Sequence, residues 1–371
     1  MTEDNKEPEQ KKRIYSLDIL RGYTMFWITG GWAIVMALAA IFPSPFMDVV
    51  KKQISHAPRG LFYHHDIIFP MFLFLAGASW PFSLAARRAR GESNWRLTLD
   101  ILRRFAILAL LGSILFNLLG FDLAKVRFNS ILGRIGFGWA VAALGTLFFK
   151  KKGYAVFALV WFLAYWAVQY FVPMIVEPGS DPWGSGSFQK IFDLWVGGYR
   201  PNGKVWESYQ QAFGCVSSAQ LGVLAGEILR RADLSGNARA LRLAVWSVAL
   251  GIGGYGVWLT GCTCFKQLWS PLYILTAGSI SFAALSLVYW IADVKGYVRW
   301  GFVFRVIGMN AVTIYVLQWA WGFRTFSTKV FGGVASLLPE LWGAFVISLG
   351  AFVLKWLVLY FLYRKKIFLR V

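Results

Sequence analysis

Residues 66–77 read DIIFPMFLFLAG, and they sit inside an apolar stretch that runs from 61 to 86. A helix needs about 20 mainly apolar residues to cross the hydrocarbon of a bilayer, and this stretch supplies them. Comparable stretches recur at 15–42, 97–119, 130–149, 154–173, 211–229, 240–260, 269–292, 302–323 and 341–363. The expected fold is therefore all-α, a polytopic bundle of about ten transmembrane helices. No internal repeat or second domain is visible, so 1–371 reads as a single transmembrane domain with a polar tail at 1–13. The one long connection, 174–210, is rich in Gly, Pro, Trp and Ser and reads as a cap outside the membrane.

Composition excludes the alternatives. Of 371 residues 57% are hydrophobic and only 15% charged, with 32 Phe, 19 Trp and 15 Tyr. A soluble domain carries roughly 25% charged residues. The net charge of +20 would suggest nucleic acid in a soluble chain, but here it falls in clusters between apolar stretches, so the bilayer is the expected partner and nucleic acid is not. One set of clusters is Lys11-Lys12-Arg13, Arg87-Arg88-Arg90, Lys150-Lys151-Lys152, Arg230-Arg231, Lys295 with Arg299, and Arg364-Lys365-Lys366. These are the N-terminus, every second loop and the C-terminus, and basic loops stay in the cytoplasm. Both termini are thus expected to be cytoplasmic and the 174–210 segment external, in an inner (plasma) membrane. The N-terminus lacks the pattern of a cleaved signal. Cys215, Cys262 and Cys264 form no CxxC pair or disulfide framework.

Ionisable groups within spans are costly and mark sites. All three histidines, His56, His64 and His65, fall just before Asp66 at the outer end of the second span. Pro70 has no N–H, so the carbonyl of Asp66 loses its helical partner and a bend is expected. Asp18 and Arg21 are spaced to pair on one helix face. Arg103 and Arg104 lie nearly two turns into the third span, where they suit phosphate or simply anchor the helix. Arg127 and Arg134 fall seven apart at the outer end of the fourth span, where either meets an anionic group or snorkels. The histidine spacing matches no standard metal-ligand pattern, and no metal is expected. Gly30-Gly31 and Gly251–Gly254 suit close helix packing. No Walker loop, GxSxG elbow or HExxH is present.

Six blocks in order carry a resemblance. They are RIYSLDILRGYTMFWITGG (13–31), His56 followed by Asp66-Ile67-Ile68-Phe69-Pro70 and Gly77, KVRFNSILGRIG (125–136), QLGVLAGEILR (220–230), KQLWSPLY (266–273), and DVKG (293–296) with GMN (308–310). The chain resembles the bacterial relatives of heparan-α-glucosaminide N-acetyltransferase, multi-pass transmembrane acyltransferases. The resemblance implies transfer of an acetyl group from acetyl-CoA to an amino sugar or other cell-envelope glycan at the outer face. It implies His56 as acetyl carrier or general base, with Asp66 beside it as a second catalytic residue. The donor's phosphates are then expected at Arg103 and Arg104, with Arg127 and Arg134 as further cofactor contacts, and the acceptor at Lys266 and Asn310. A homo-oligomer is left open. The sequence departs from the family at Arg59 (Trp in the family), Leu61 (Gly) and Gly133 (Gln), and WESYQQAFG stands where a D-P-E-G element is usual. Two rival readings remain: a secondary transporter of a small anionic or sugar-like solute, and a non-catalytic family member.

Overall fold

The structure, a computed structural model, describes residues 14–115, 130–184, 187–195 and 208–368. It is helical, with no strand among the described residues. Eight helices there are long and apolar enough to cross a membrane, and a bent pair makes a ninth. The first crossing is α1 (Tyr15–Phe26) and α2 (Trp32–Ile41), joined by a π turn. A short α3 (Pro45–Gln53) follows, capped by the Ser44 hydroxyl, which accepts from Met47 N at 3.2 Å. The spans α4 (His64–Arg88), α5 (Asn94–Leu115), α6 (Ile131–Phe148) and α7 (Lys151–Val176) come next. Beyond the small α8 (Phe188–Trp195) lie α9 (Gln210–Leu229), α10 (Gly236–Leu259) and α11 (Pro271–Tyr289). The chain ends in α12 (Phe302–Met309), α13 (Ala311–Ala320), α14 (Phe323–Ser336) and α15 (Glu340–Arg364). Of the ten expected spans, 97–119 corresponds to α5, whose Arg96, Asp100, Arg103 and Arg104 leave it too charged to join the other nine.

Helices α4 and α9 form the centre: 67% and 72% of their apolar windows are buried, against 11% for α7 and 17% for α15, which face lipid. The central pair touches backbone to backbone. A Cβ on Gly77 would stand 2.1 Å from Ala219 O, and one on Gly222 would stand 1.9 Å from Phe74 O. Small residues make such contact between membrane helices possible, because only they let two backbones approach. The other expected glycine packing sites differ. Gly30 is packed as expected, since a Cβ there would lie 3.3 Å from Phe352 of α15, but it also adopts φ +152° and breaks the first span, while the Gly251–Gly254 run has only ordinary contacts around it.

The expected span 302–323 is broken. α12 and α13 meet at Asn310 with a 62° bend. A second interruption at Trp321–Gly322 precedes α14, which packs on α15, with Ser327 Oγ donating to Ile347 O at 2.7 Å. Non-helical backbone within a membrane is tolerated where it is buried in protein or lines a cavity, and α13 lines one.

Loops sort to two ends. At one, Asp293 accepts the backbone N–H of Tyr15 and Ser16 at 2.7 and 2.9 Å, and Lys151 lies 3.3 Å from Glu227. At the other, Gly60 N donates to Cys264 O at 2.8 Å and Arg59 pairs with Asp181. This is the same alternation of loops that the basic clusters describe in sequence.

Candidate active site

At the second end three loops converge on the head of α4. Asp66 is 2% exposed, and its carboxylate is held from several sides. Oδ2 accepts from Ala57 N at 3.1 Å and from Tyr63 N at 3.2 Å. Oδ1 lies 3.3 Å from His56 Nδ1 and accepts from Lys266 Nζ at 3.2 Å. The carbonyl that Pro70 leaves without a helical donor is taken by Tyr273 Oη at 2.7 Å. A buried carboxylate is stable when it is paired and hydrogen-bonded, and both conditions hold here.

His56 is 47% exposed at its side chain. Its Nδ1 faces two neighbours, Asp66 and Lys266 Nζ, the latter at 3.2 Å. A proton on Nδ1 satisfies the carboxylate and makes Nε2, on the opposite edge of the ring, the basic nitrogen. Lys266 sits in the α10–α11 loop; burial lowers its pKa, and Asp66 opposes that shift. Cys264 is near enough to feel Asp66, and burial first, then that carboxylate, pushes its thiol up to about 12. It therefore stays a neutral thiol near pH 7 and is no rival to the imidazole as a nucleophile.

The other two histidines separate. His65 packs edge-on against His56 with ring centroids 4.6 Å apart. His64 turns to α1, with its Nε2 2.5 Å from Tyr23 Oη and its ring against Trp27. His56 and His65 open onto a cavity of about 850 Å³ lined by aromatic rings, among them Trp27, Phe69, Trp269, Tyr315 and Trp319. Such an apolar, concave space with a few convergent polar groups is the usual form of a ligand site.

Arg134, 5% exposed, lines this cavity with its guanidinium 5.3 Å from the Phe69 ring, and it donates to Gln211, whose amide donates to Gln267 O. Arg127 lies outside the described residues. Arg104 turns inward, its guanidinium 4.1 Å over Trp139 and its buried Nε without a partner among the described residues, whereas Arg103 is exposed. Arg21 pairs with Asp18 at 3.4 Å, as their spacing predicts, and donates to Ser79 Oγ at 2.7 Å. Asn310 is buried at the α12–α13 break, where Nδ2 donates to Ile367 O at 3.2 Å; it does not line the cavity with Lys266.

Four participants escape the sequence reading. Tyr273 stands in the quoted KQLWSPLY block, but nothing there signals a bond to Asp66. Gln211 and Gln267 bear on the site through Arg134. Lys355 lines the cavity from within α15, and its signal was plain: a lone lysine in the apolar run 344–362.

No family model matches the chain. Heparan-alpha-glucosaminide N-acetyltransferase of Homo sapiens is 28% identical over 377 residues, covering 82% of this chain and 54% of that protein. The protein of the same name from Mus musculus is 27% identical over 312 residues, covering 68% and 47%. The chain spans about half the length of the curated relatives it matches. Together with the six ordered blocks, these similarities make the chain a distant relative of the heparan-α-glucosaminide N-acetyltransferases.

Proposed function

We propose that this chain is a membrane acyltransferase that moves an acetyl group from acetyl-CoA, entering from the cytoplasm, to an amino sugar or other cell-envelope glycan at the outer face of the inner membrane. The observation that carries this reading is the His56 imidazole, held by the buried Asp66 carboxylate at an aromatic-lined cavity. With Nδ1–H directed at Asp66, Nε2 serves either of two routes. It takes the proton of the acceptor amine as that nitrogen attacks the thioester carbonyl, and the proton then passes to the departing thiolate. Alternatively Nε2 attacks the carbonyl itself, the C–S bond breaks with release of the thiol, and the acetyl-imidazole passes its acetyl group to the amine. Asp66 stabilises the imidazolium in both.

Depth supports a donor that reaches up from the basic end. Asp66 and Ser79 are 13 positions apart on α4, about 20 Å at 1.5 Å per residue. Arg21 meets Ser79 at that lower level, and the cavity wall at Met25 and Ile135 lies one turn above Arg21 and Trp139. An extended pantetheine arm covers this distance, so phosphates near Arg21 and Arg104 are compatible with a thioester at His56. The broken α12–α13 span favours a second reading, a transporter, since discontinuous helices around a central cavity also build solute sites.

One experiment separates them. Proteoliposomes carrying the purified chain receive labelled acetyl-CoA outside the cytoplasmic face and a panel of amino sugars and glycans on the other. Label appearing on an acceptor supports transfer. Acceptor crossing the bilayer without acetylation supports the transporter, and neither outcome leaves a non-catalytic relative.

A further inference from the structure

The basic side chains lining the cavity are His56, His65, Arg134, Lys266 and Lys355, and no carboxylate lines it among the described residues. Lys355 is the deepest of these. It stands 15 positions after Glu340 and 9 before Arg364 in α15, about 22 Å and 14 Å from the two ends. Its Nζ donates to Thr29 O at 2.7 Å, at the break where Gly30 has φ +152°, and it lies 5.7 Å from the Phe323 ring centroid at the start of α14. Among the described residues it meets no carboxylate within salt-bridge distance.

Repairing the Thr29 carbonyl needs only a neutral donor. A glutamine or serine would supply one without bringing a charge to mid-depth, where an unneutralised ammonium is expensive. One bond to Thr29 also leaves two of the three N–H donors of Lys355 to be directed elsewhere. Lys266 is already paired with Asp66, so Arg134 and Lys355 carry the positive potential, which low-dielectric aromatic walls strengthen and which selects negative ligands.

We propose that Lys355 forms the floor of an anion subsite in this cavity, taking a carboxylate or phosphate oxygen of the ligand. Its depth relative to His56 follows from the helices. Thr29 is eight positions after Arg21 on the first span, and Asp66 is 13 positions before Ser79 on α4, which runs the opposite way. The difference of five positions places Lys355 roughly 8 Å below the Asp66 level. That is the reach of one sugar ring and much less than a pantetheine arm. An acidic group on a sugar therefore fits this difference in level, with the sugar's reactive nitrogen at His56, better than the phosphates at the far end of a pantetheine arm. The subsite stands whether or not the chain transfers acetyl groups.

The test is binding to the purified full chain in nanodiscs, read by tryptophan fluorescence or calorimetry without any reaction. The ligands are glucosamine, glucosamine 6-phosphate, glucuronate, CoA and pantetheine. Glucosamine 6-phosphate should bind the parent about tenfold or more tighter than glucosamine, the usual effect of a charge-assisted bond. Lys355→Gln keeps a donor for Thr29 and should abolish that preference, while Lys355→Arg should retain it. If the preference of CoA over pantetheine falls in Lys355→Gln instead, the anion comes from the thioester donor. Equal binding of anionic and neutral ligands by the parent overturns the subsite, and that result needs no variant to fold. An anion preference that is unchanged in a folded Lys355→Gln protein overturns it as well. Acetyl transfer with no anion preference sinks the subsite alone, and anion preference without transfer sinks only the enzymatic reading.

Discussion

Lys266 Nζ stands 3.2 Å from Asp66 Oδ1 across 200 positions of sequence, tying the α10–α11 loop to the head of α4. The ammonium is mostly buried, and burial lowers its pKa more than Asp66 restores it. A lysine that binds its proton less tightly in the folded chain than in the unfolded one makes stability rise with pH, because the unfolded state then holds more protons. The rise should fall in the alkaline range that ends near the ordinary lysine value of 10.5. In melting curves across that range the parent should gain stability relative to Lys266→Met as pH increases. A constant difference between them would mean that Lys266 keeps an ordinary affinity for its proton.

If the proposed transfer holds, His56→Ala should remove it while leaving the fold intact, because nearly half of this side chain is exposed and little packing depends on it. Loss of a general base costs about 10²–10⁴-fold in rate, whereas loss of an obligatory acetyl carrier should leave no activity. His64→Ala should act instead through its Tyr23 and Trp27 contacts, as a change in stability. A His56→Ala enzyme with parental turnover would take the imidazole out of the mechanism.

The two neighbouring arginines of α5 should behave differently. Arg104 is turned in over Trp139 with Nε unsatisfied, and Arg103 is exposed. Arg104→Gln should weaken CoA binding by about 1.5–3 kcal/mol, the worth of one charge-assisted hydrogen bond. Arg103→Gln should change it little. Titration of CoA against each folded single variant checks this, and equal losses at both positions would point to a diffuse basic surface.

The sequence disclosed what depends on local composition and spacing. Apolar length located the spans, and the Asp18–Arg21 pairing followed from helical periodicity. The resemblance singled out His56 and Asp66, ten positions apart, as the catalytic pair, and the structure brings them together. What stayed hidden depends on tertiary contact. Tyr273 closes the Pro70 gap from a helix 207 positions away. The Asn310 break could not be read from an apolar stretch that would equally suit a straight helix. Gly30 looked like a packing glycine, although its positive φ serves a π turn whose carbonyl Lys355 reaches from α15. Asn310 was grouped with Lys266 on the strength of a motif, and the fold separates them.

Packing of the central pair should be intolerant of added bulk. A Cβ at Gly222 would stand 1.9 Å from Phe74 O, and backbone cannot move aside as a side chain can. Gly222→Val should cost at least the roughly 1–3 kcal/mol typical of overpacking. Gly256→Ala, with nothing within 4 Å of the new methyl, should instead be neutral or stabilise α10 by about 0.5–1 kcal/mol. Unfolding of both variants in the same detergent gives the comparison, and a tolerated Gly222→Val would contradict the backbone contact.

The 177–184 segment, the described start of the expected cap, is held in two ways of unequal strength. Trp183 is 4% exposed and packs with Val257, Cys262 and Leu268. Arg59 pairs with Asp181, but both side chains are more than a third exposed. Burial would raise the Asp181 carboxyl, yet Arg59 and the Trp183 N–H hold it below its ordinary 3.8. A depressed carboxylate adds stability above its unfolded pKa and loses it as pH falls through the folded one, so the pair should stay intact at neutral pH and fail only in strong acid. Exposed ion pairs contribute about 0–1 kcal/mol, and loss of a buried tryptophan costs about 3–5 kcal/mol. Trp183→Ala should therefore release the cap, with rapid proteolysis near residues 177–184, whereas Arg59→Ala should be nearly silent at neutral pH and low salt. If Arg59→Ala released the cap as fully as Trp183→Ala, the ion pair would be its main anchor.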